Sequence, residues 1–253
     1  SCLSLTKVMF TLRTVDTTSH QPLLQDFDLM TREALTRILG VPLTDLQWAQ
    51  AALPVTLGGL GLRLAQDHAP AAYSTSFMDS QPLVSSLLTK PGQEDQSLES
   101  SQDKVPAPQL PPALLTLLAG KQGEEEVTTQ SLQGVTQKAA SLKIDLNNHH
   151  LLSEQISREG DVRNIARLAS LGLPHAGDFL NAVPNPVLGL HLRPQELISV
   201  LRYRLGCPIY IKAGPCPACS RPSDQLGDHA MNCGNQGERI SRHNRLRDAL
   251  HDT

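Results

Sequence analysis

The sequence predicts a mainly α-helical chain: two helical lobes joined by a Pro/Ser/Gln-rich linker, with a small cysteine-rich segment near the C-terminal end. Three observations lead there. Aromatic residues make up only 3% of the 253, so the core must be built from Leu, Ala, Val and Ile, a set that suits packed helices better than a sheet sandwich. Long Val/Ile/Tyr alternations, the period-two signature of strands, are absent. Apolar residues recur instead at three- and four-residue spacing, in runs closed by Gly and Pro. With 40% hydrophobic residues the chain stands well above the disordered class and can bury a real core.

The elements follow in order. Residues 1–78 form a first helical lobe. Pro22 suits a first helical turn, where its missing N–H has no partner to lose. Leu24, Phe27, Thr31, Ala34, Leu35 and Ile38 then form a stripe that Gly40 and Pro42 close. A second helix starts near Thr44, carries Asp45, Trp48 and Ala52, and stops at Pro54. The glycines of Leu57-Gly58-Gly59-Leu60-Gly61-Leu62 read as a close backbone turn between helices. They are not a phosphate loop, for no Lys-Ser/Thr follows and no strand precedes. A third helix starts at Ala65 and includes Ala69, Ala72 and Phe77.

Residues 79–127 read as a flexible linker. The stretch from Gln93 to Gln109 is rich in Ser, Gln, Asp and Pro, and Pro106, Pro108, Pro111 and Pro112 forbid a regular helix through them; Leu114 to Leu118 can dock as a helical turn. Residues 128–206 read as a second helical lobe. Leu132, Val135, Ala139 and Leu142 give one stripe, Leu151, Leu152 and Ile156 a second, and Asp161, Ile165, Leu168 and Ala169 a third that Gly172 and Pro174 close. The polar tetrad Asn147-Asn148-His149-His150 reads as a loop between the first two. His175 reads as a turn residue bonded to a nearby carbonyl. A further helix opens at Arg193-Pro194-Gln195-Glu196, turns Leu197, Val200, Leu201 and Leu205 inward, and stops at Gly206.

Residues 207–253 hold the chemistry. Cys216-x2-Cys219-x9-His229-x3-Cys233 places three sulfurs and one imidazole at spacings that close a tetrahedron. Two cysteines two apart face one point across a tight turn, and a His and a Cys four apart share one side of a helical turn. Such a soft shell suits one Zn2+, and four protein ligands leave no open position, so the ion is expected to be structural. Asp228 is a possible partner of the histidine ligand, and Cys207 a small buried residue closing the preceding helix. The segment Glu238 to Leu250 reads as a charged helix in which Arg239, Arg242, His243, Arg245 and Arg247 can contact phosphates. From His191 onward there are nine Lys/Arg against six Asp/Glu, net +3, whereas the preceding 190 residues carry thirteen against nineteen, net −6.

Five cysteines, one of them isolated at Cys2, do not make a secreted disulfide framework. The opening stretch carries no charged-then-apolar pattern of a signal peptide, and no run of about 18 apolar residues that would span a bilayer occurs. The expected location is intracellular, nuclear or cytoplasmic rather than secreted. No paired carboxylates, nucleophile elbow or committed base form a catalytic set.

Taken in order, these segments resemble the C-terminal region of reverse transcriptases of non-LTR retrotransposons, of the type that carries a restriction-like endonuclease. Phe27-Asp28 through Gly40-Val41-Pro42-Leu43 resembles the thumb helix. Leu53-Pro54-Val55-Thr56-Leu57-Gly58-Gly59-Leu60-Gly61-Leu62, followed by Ala69-Pro70-Ala71-Ala72, resembles the segment after the polymerase palm. Pro174-His175-Ala176-Gly177, Leu190-His191-Leu192 and Arg202-Tyr203-Arg204-Leu205-Gly206 resemble the connector. Cys216-Pro217-Ala218-Cys219, Gly227-Asp228-His229-Ala230, Cys233 and Glu238 to Asn244 resemble the zinc knuckle and the helix leading into the nuclease. The resemblance covers most of the chain outside residues 79–130. It implies a fragment that binds RNA and/or DNA, with no membrane and no small-molecule substrate. The family's polymerase Asp-Asp turn does not occur, and its nuclease core would lie beyond Thr253, so neither polymerisation nor cleavage is expected of this chain alone. The alternative is a zinc-stapled helical scaffold for protein contacts.

Overall fold

The computed structural model describes residues 5–88, 108–119, 132–187, 189, 191–234, 240, 241, 243, 244, 247 and 248, without the side chains of residues 5–7, 18 and 88. The chain is mainly helical, with a Cys/His cluster near its C-terminal end. It divides into two units, one of residues 1–35 and 48–181 and one of residues 36–47 and 182–253.

In the first unit, α1 (Leu5–Thr14), most of α2 (Gln21–Leu39) and α4 (Ala65–Leu88) meet around Leu12, Leu24, Ala65, Ala69 and Ala72. The alanines at three- and four-residue spacing make one face of α4, and their small size lets neighbouring backbones approach. Ala71, a step around that helix, joins a second core with Leu115, Leu118, Leu132, Ala140 and Ile144, which brings in α5 (Pro112–Ala119) and α6 (Gln137–Glu159). The run Leu114 to Leu118 thus docks as a helix inside the span read as linker. The helix from Ala65 likewise continues past Asp79 to Leu88, with Pro70 and Pro82 inside it. Residues 89–107 and 120–131 lie outside the described residues.

Two features of this unit are settled by contacts between segments. Asp28, buried on α2, receives the Ala65 N–H at 2.7 Å on Oδ1 and the Gln66 N–H at 3.1 Å on Oδ2. A side chain from another helix therefore caps two of the amides that α4 cannot satisfy itself. Burial pushes the Asp28 carboxyl above its ordinary range, against the opposing pull of those two amides. The glycine turn after α3 (Asp45–Ala52) folds back on that helix, with Leu60 N–H on Ala51 O at 3.1 Å and Gly61 N–H on Leu53 O at 2.8 Å. A Cβ at Gly59 would lie 1.9 Å from Leu53 O. The glycines make a close backbone turn, as the sequence indicates.

The polar tetrad 147–150 is not a loop. α6 runs unbroken from the Thr136 N-cap, whose hydroxyl accepts the Ala139 N–H at 3.2 Å, to Gly160, which ends it at φ +69°. Ala139 and Leu142 of the first stripe therefore share one helix with the second stripe, while Leu132 and Val135 precede its N-cap, and the helix's inner face is turned from the expected one. Ala140, Ile144, Asp145, Leu152 and Ile156 are buried, while Leu142 and Leu151 are 53% and 51% exposed. α7 (Val162–Leu171) buries Leu168 and leaves Ile165 exposed. Asp161 is its N-cap, accepting the Asn164 N–H at 3.0 Å, not part of its stripe. His175 has φ +67° and bonds the Asp178 carboxylate at 2.7 Å rather than a carbonyl, both side chains lying in solvent.

In the second unit, α8 (Pro194–Leu205) opens on Pro194, with the Glu196 carboxylate accepting the Arg193 N–H at 2.8 Å, and ends at Gly206 with φ +69°. Leu205 and Arg204 are buried, whereas Leu197 and Val200, expected inward, are exposed. The Arg202 guanidinium donates to Leu39 O at the end of α2, with Nε at 2.7 Å, and to Ile209 O at 3.4 Å. Cys207 is fully buried and its N–H bonds Arg202 O at 2.8 Å, closing α8 as expected. Arg202 and Cys207 thereby tie α8 to the segment that leads into the cysteine cluster.

Candidate metal centre

The cluster is built from two short pieces. A two-stranded antiparallel ladder of β1 (Gly214–Pro215) and β2 (Pro222–Ser223) pairs Gly214 with Ser223 and Pro215 with Pro222. Its turn holds Cys216 and Cys219. Ser220 N–H bonds Cys216 O and Cys216 N–H bonds Arg221 O, each at 2.8 Å, and Ser220 sits at φ +61°. Prolines on both strands suit so short a ladder, because they give up only donors at its edges.

The second piece is α9 (Asp228–Asn232), which carries His229 and delivers Cys233 as its C-cap. Its entry is fixed by Asp224, whose Oδ1 accepts the Asp228 N–H at 3.0 Å and whose Oδ2 accepts the His229 N–H at 2.7 Å. Partial burial pushes the Asp224 carboxyl up, but these amides outweigh it and hold it below its ordinary range. Gly227 reaches φ +88°, and a Cβ there would come within 2.7 Å of Ile209 Cδ1. The left-handed backbone is what requires glycine there, since the flexible end of Ile209 could yield to a Cβ.

The four ligand atoms of Cys216, Cys219, His229 and Cys233 lie within 4.8 Å of one another. Cys216 Sγ is 3.9 Å from Cys233 Sγ, and Cys219 Sγ is 3.2 Å from His229 Nε2. The Cys216 thiol is held at about 6, chiefly by the backbone N–H groups of Ala218 and Cys219. At neutral pH it is therefore ready to ligate as thiolate. Cys219 feels an opposite balance: the Arg221 N–H lowers it, but burial and the sulfurs of Cys233 and Cys216 push it above its ordinary value. Two thiols packed this closely resist ionising together unless a cation lies between them. The cluster could hold a metal ion. Asp224, which the sequence reading passed over in favour of Asp228, is the carboxylate that fixes the ligand helix. Its signal was an Asp a few residues ahead of a helical histidine, the usual mark of a helix start.

Of the residues read as phosphate contacts, Arg239, Arg242 and Arg245 lie outside the described residues. His243 and Arg247 are exposed and helical, and Arg247 pairs with Asp248 at 2.6 Å.

A second polar cluster, in the first unit, escaped the sequence reading. Asp145 on α6 is 2% exposed and receives the Arg63 guanidinium twice, with Nε at 3.1 Å and the terminal nitrogen at 2.6 Å from Oδ2. His68 Nε2 stands 3.5 Å from Oδ1. Burial raises the Asp145 carboxyl, but His68 and Arg63 together hold it below the ordinary range. A cavity of about 230 Å3 adjoins it, lined among others by Leu53, Leu152 and Gln155. His68 Nδ1 has no hydrogen-bond partner among the described residues. Nothing local in the sequence links Arg63 or His68 to an aspartate some eighty residues away, so only the fold could reveal the cluster.

Among the described residues no helix is long and apolar enough to cross a membrane. No family model, curated protein or solved structure matches the chain.

Proposed function

We propose that the cluster holds one structural Zn2+, and that the chain is a nucleic-acid-binding segment resembling the thumb, connector and zinc knuckle of a non-LTR retrotransposon reverse transcriptase, without the polymerase and nuclease active sites. The observation that carries the reading is the close approach of Cys216, Cys219, His229 and Cys233, immediately ahead of a basic segment. Zn–S bonds of about 2.3 Å and Zn–N bonds of about 2.0–2.1 Å put tetrahedral ligand atoms roughly 3.5–3.8 Å apart. The 3.9 Å and 3.2 Å separations lie to either side of that range. Three thiolates and one imidazole are a soft shell that favours zinc over oxygen-seeking cations. Ile240, Ser241, His243, Asn244, Arg247 and Asp248 have helical backbone, which suits a helix presenting cations to a phosphate chain.

The test is affinity for nucleic acid against salt. Contacts from Arg239, Arg242, His243, Arg245 and Arg247 to three or four phosphates give a slope of log K on log salt of about −3. Binding that ignores salt, or no binding by the zinc-loaded chain, overturns the reading.

One observation favours a zinc-stapled scaffold for protein contacts instead. Residues 207–234 carry Lys212 and Arg221 against Asp224 and Asp228, so the knuckle itself has no basic excess. Reversing charge with Arg242→Glu and Arg245→Glu separates the two readings. The nucleic-acid reading expects binding to fall at least tenfold with folding intact; the scaffold reading expects no change in either.

A further inference from the structure

Against the cysteine cluster, with Cys216 and Cys233 in its lining, lies a groove of about 480 Å3, within the size range of ligand clefts. Tyr210, Pro215, Pro217, Ala218 and Ala230 give it largely apolar walls, and among the described residues Lys212 is the only Lys, Arg, Asp or Glu that lines it. Tyr210 is 44% exposed, yet its loop is pinned. The N–H groups of Ile209 and Tyr210 bond Gln225 O at 2.8 and 3.0 Å, and Gln225 Nε2 returns a bond to Ile211 O at 2.9 Å. The groove therefore pairs an aromatic side chain, on a hydrogen-bonded loop, with a cation that makes no ion pair among the described residues.

We propose that this groove takes one unpaired base of a single-stranded nucleic acid, stacked on Tyr210, with Lys212 on the adjoining phosphate. The chemistry selects that occupant. A base offers a flat apolar face joined through its sugar to an anion, and the groove offers an aromatic side chain and apolar walls beside Lys212, with no carboxylate among the described residues that line it. A purely apolar peptide side chain leaves Lys212 unused. A duplex keeps its bases stacked in pairs and cannot insert one without breaking a step. Stacking on one aromatic ring is tolerant of base identity, so the site distinguishes strandedness, not sequence. This rests on the nucleic-acid reading above and adds to it a preference for single strands that phosphate contacts alone do not supply.

The experiment measures fluorescence anisotropy of the zinc-loaded full chain with three labelled DNAs at one salt concentration: a single strand, the same strand made of abasic sites, and the duplex. The parent chain should bind the single strand more tightly than the other two. Tyr210→Ala should weaken single-strand binding about tenfold and leave abasic and duplex binding unchanged, and Tyr210→Phe should restore it. Lys212→Gln should weaken single-strand and abasic binding alike and reduce the salt slope by about one. Equal zinc content and equal helicity by circular dichroism show that each variant is folded. If Tyr210→Ala binds all three DNAs as the parent does, the groove proposal is wrong. If binding then still follows salt and the Arg242 and Arg245 charges, the broader reading survives; capture of an apolar peptide by the groove would belong to this outcome. If the parent binds none of the three, both readings fall together.

Discussion

His229 illustrates how a single residue is placed. Its imidazole reaches the cysteines only because its own N–H is tied to Asp224, together with that of Asp228. Replacing Asp224 by Ala should remove a cap of the kind that contributes about 0.5–2 kcal/mol. Outer contacts that orient a ligand typically change metal affinity by roughly 10–100-fold. Asp224→Ala should therefore bind metal at least about tenfold more weakly in competition with a chelator, and Asp224→Asn, which keeps one of the two acceptors and sets its NH2 against the other N–H, should recover only part of the loss. Gly59 makes a contrasting case. A Cβ there meets Leu53 O at 1.9 Å, whereas one at Gly61 meets nothing within 4 Å. Gly59→Ala should cost more than about 3 kcal/mol in chemical denaturation, or prevent folding. Gly61→Ala bears only the left-handed backbone at φ +75°, about 1–2 kcal/mol.

Helix α6 shows what pattern reading can and cannot recover. The ends of several helices were legible, because caps act locally: Gly40, Gly172 and Gly206 all stand where helices stop. The middle of α6 was not. Asn147-Asn148-His149-His150 suits a loop equally well, and only the partners show otherwise, Asn148 Nδ2 donating to Asp67 at 2.7 Å. The inner face was misjudged because Asp145, a residue that a hydrophobic stripe leaves out, is buried where Arg63 meets it. That pair should respond to mutation asymmetrically. The Arg63 side chain is 40% exposed and can turn to water, whereas the Asp145 side chain is 3% exposed and cannot. Arg63→Met should therefore destabilise by about 2–4 kcal/mol, and Asp145→Leu by less. The pH dependence follows from the lowered Asp145 carboxyl. Its contribution is complete above the unfolded value of about 3.9 and is lost as pH falls through the still lower folded value. Asp28 works in the opposite sense: its raised carboxyl favours the folded state below the unfolded value, and that advantage is lost as pH rises through the folded one. Denaturation curves of parent and Arg63→Met between about pH 3 and 6 should diverge toward neutral pH, where an unpaired Asp145 charge is most costly. Parallel curves would show that Arg63 does not hold that carboxylate.

For the molecule as a whole, the chain's two units do not follow its order. The end of α2 lies with the C-terminal unit, and residues 132–181 lie with the N-terminal one. Composition foretold helices and a cysteine cluster, because aromatic scarcity and ligand spacing are properties of the sequence itself. It could not foretell which distant segments share a core. The cluster is the part of the candidate site that was legible in full, four ligands within eighteen residues of each other. The cluster of half-exposed Arg63 with buried His68 and Asp145 was invisible until the fold joined α6 to α4 and the turn ahead of it. The acidic N-terminal part and the more basic C-terminal part favour placing the proposed phosphate contact in the basic part.

Everything proposed for that basic end depends on an ion at Cys216, Cys219, His229 and Cys233. Elemental analysis of the purified chain, followed by Co2+ substitution and optical titration, tests this most directly. One equivalent of zinc, replaced by one equivalent of tetrahedral cobalt with thiolate charge-transfer bands, and loss of both in Cys219→Ala, are the expected results. A segment 207–234 that keeps its fold without bound metal, or a Cys219→Ala variant that keeps its full equivalent, would contradict a structural zinc centre.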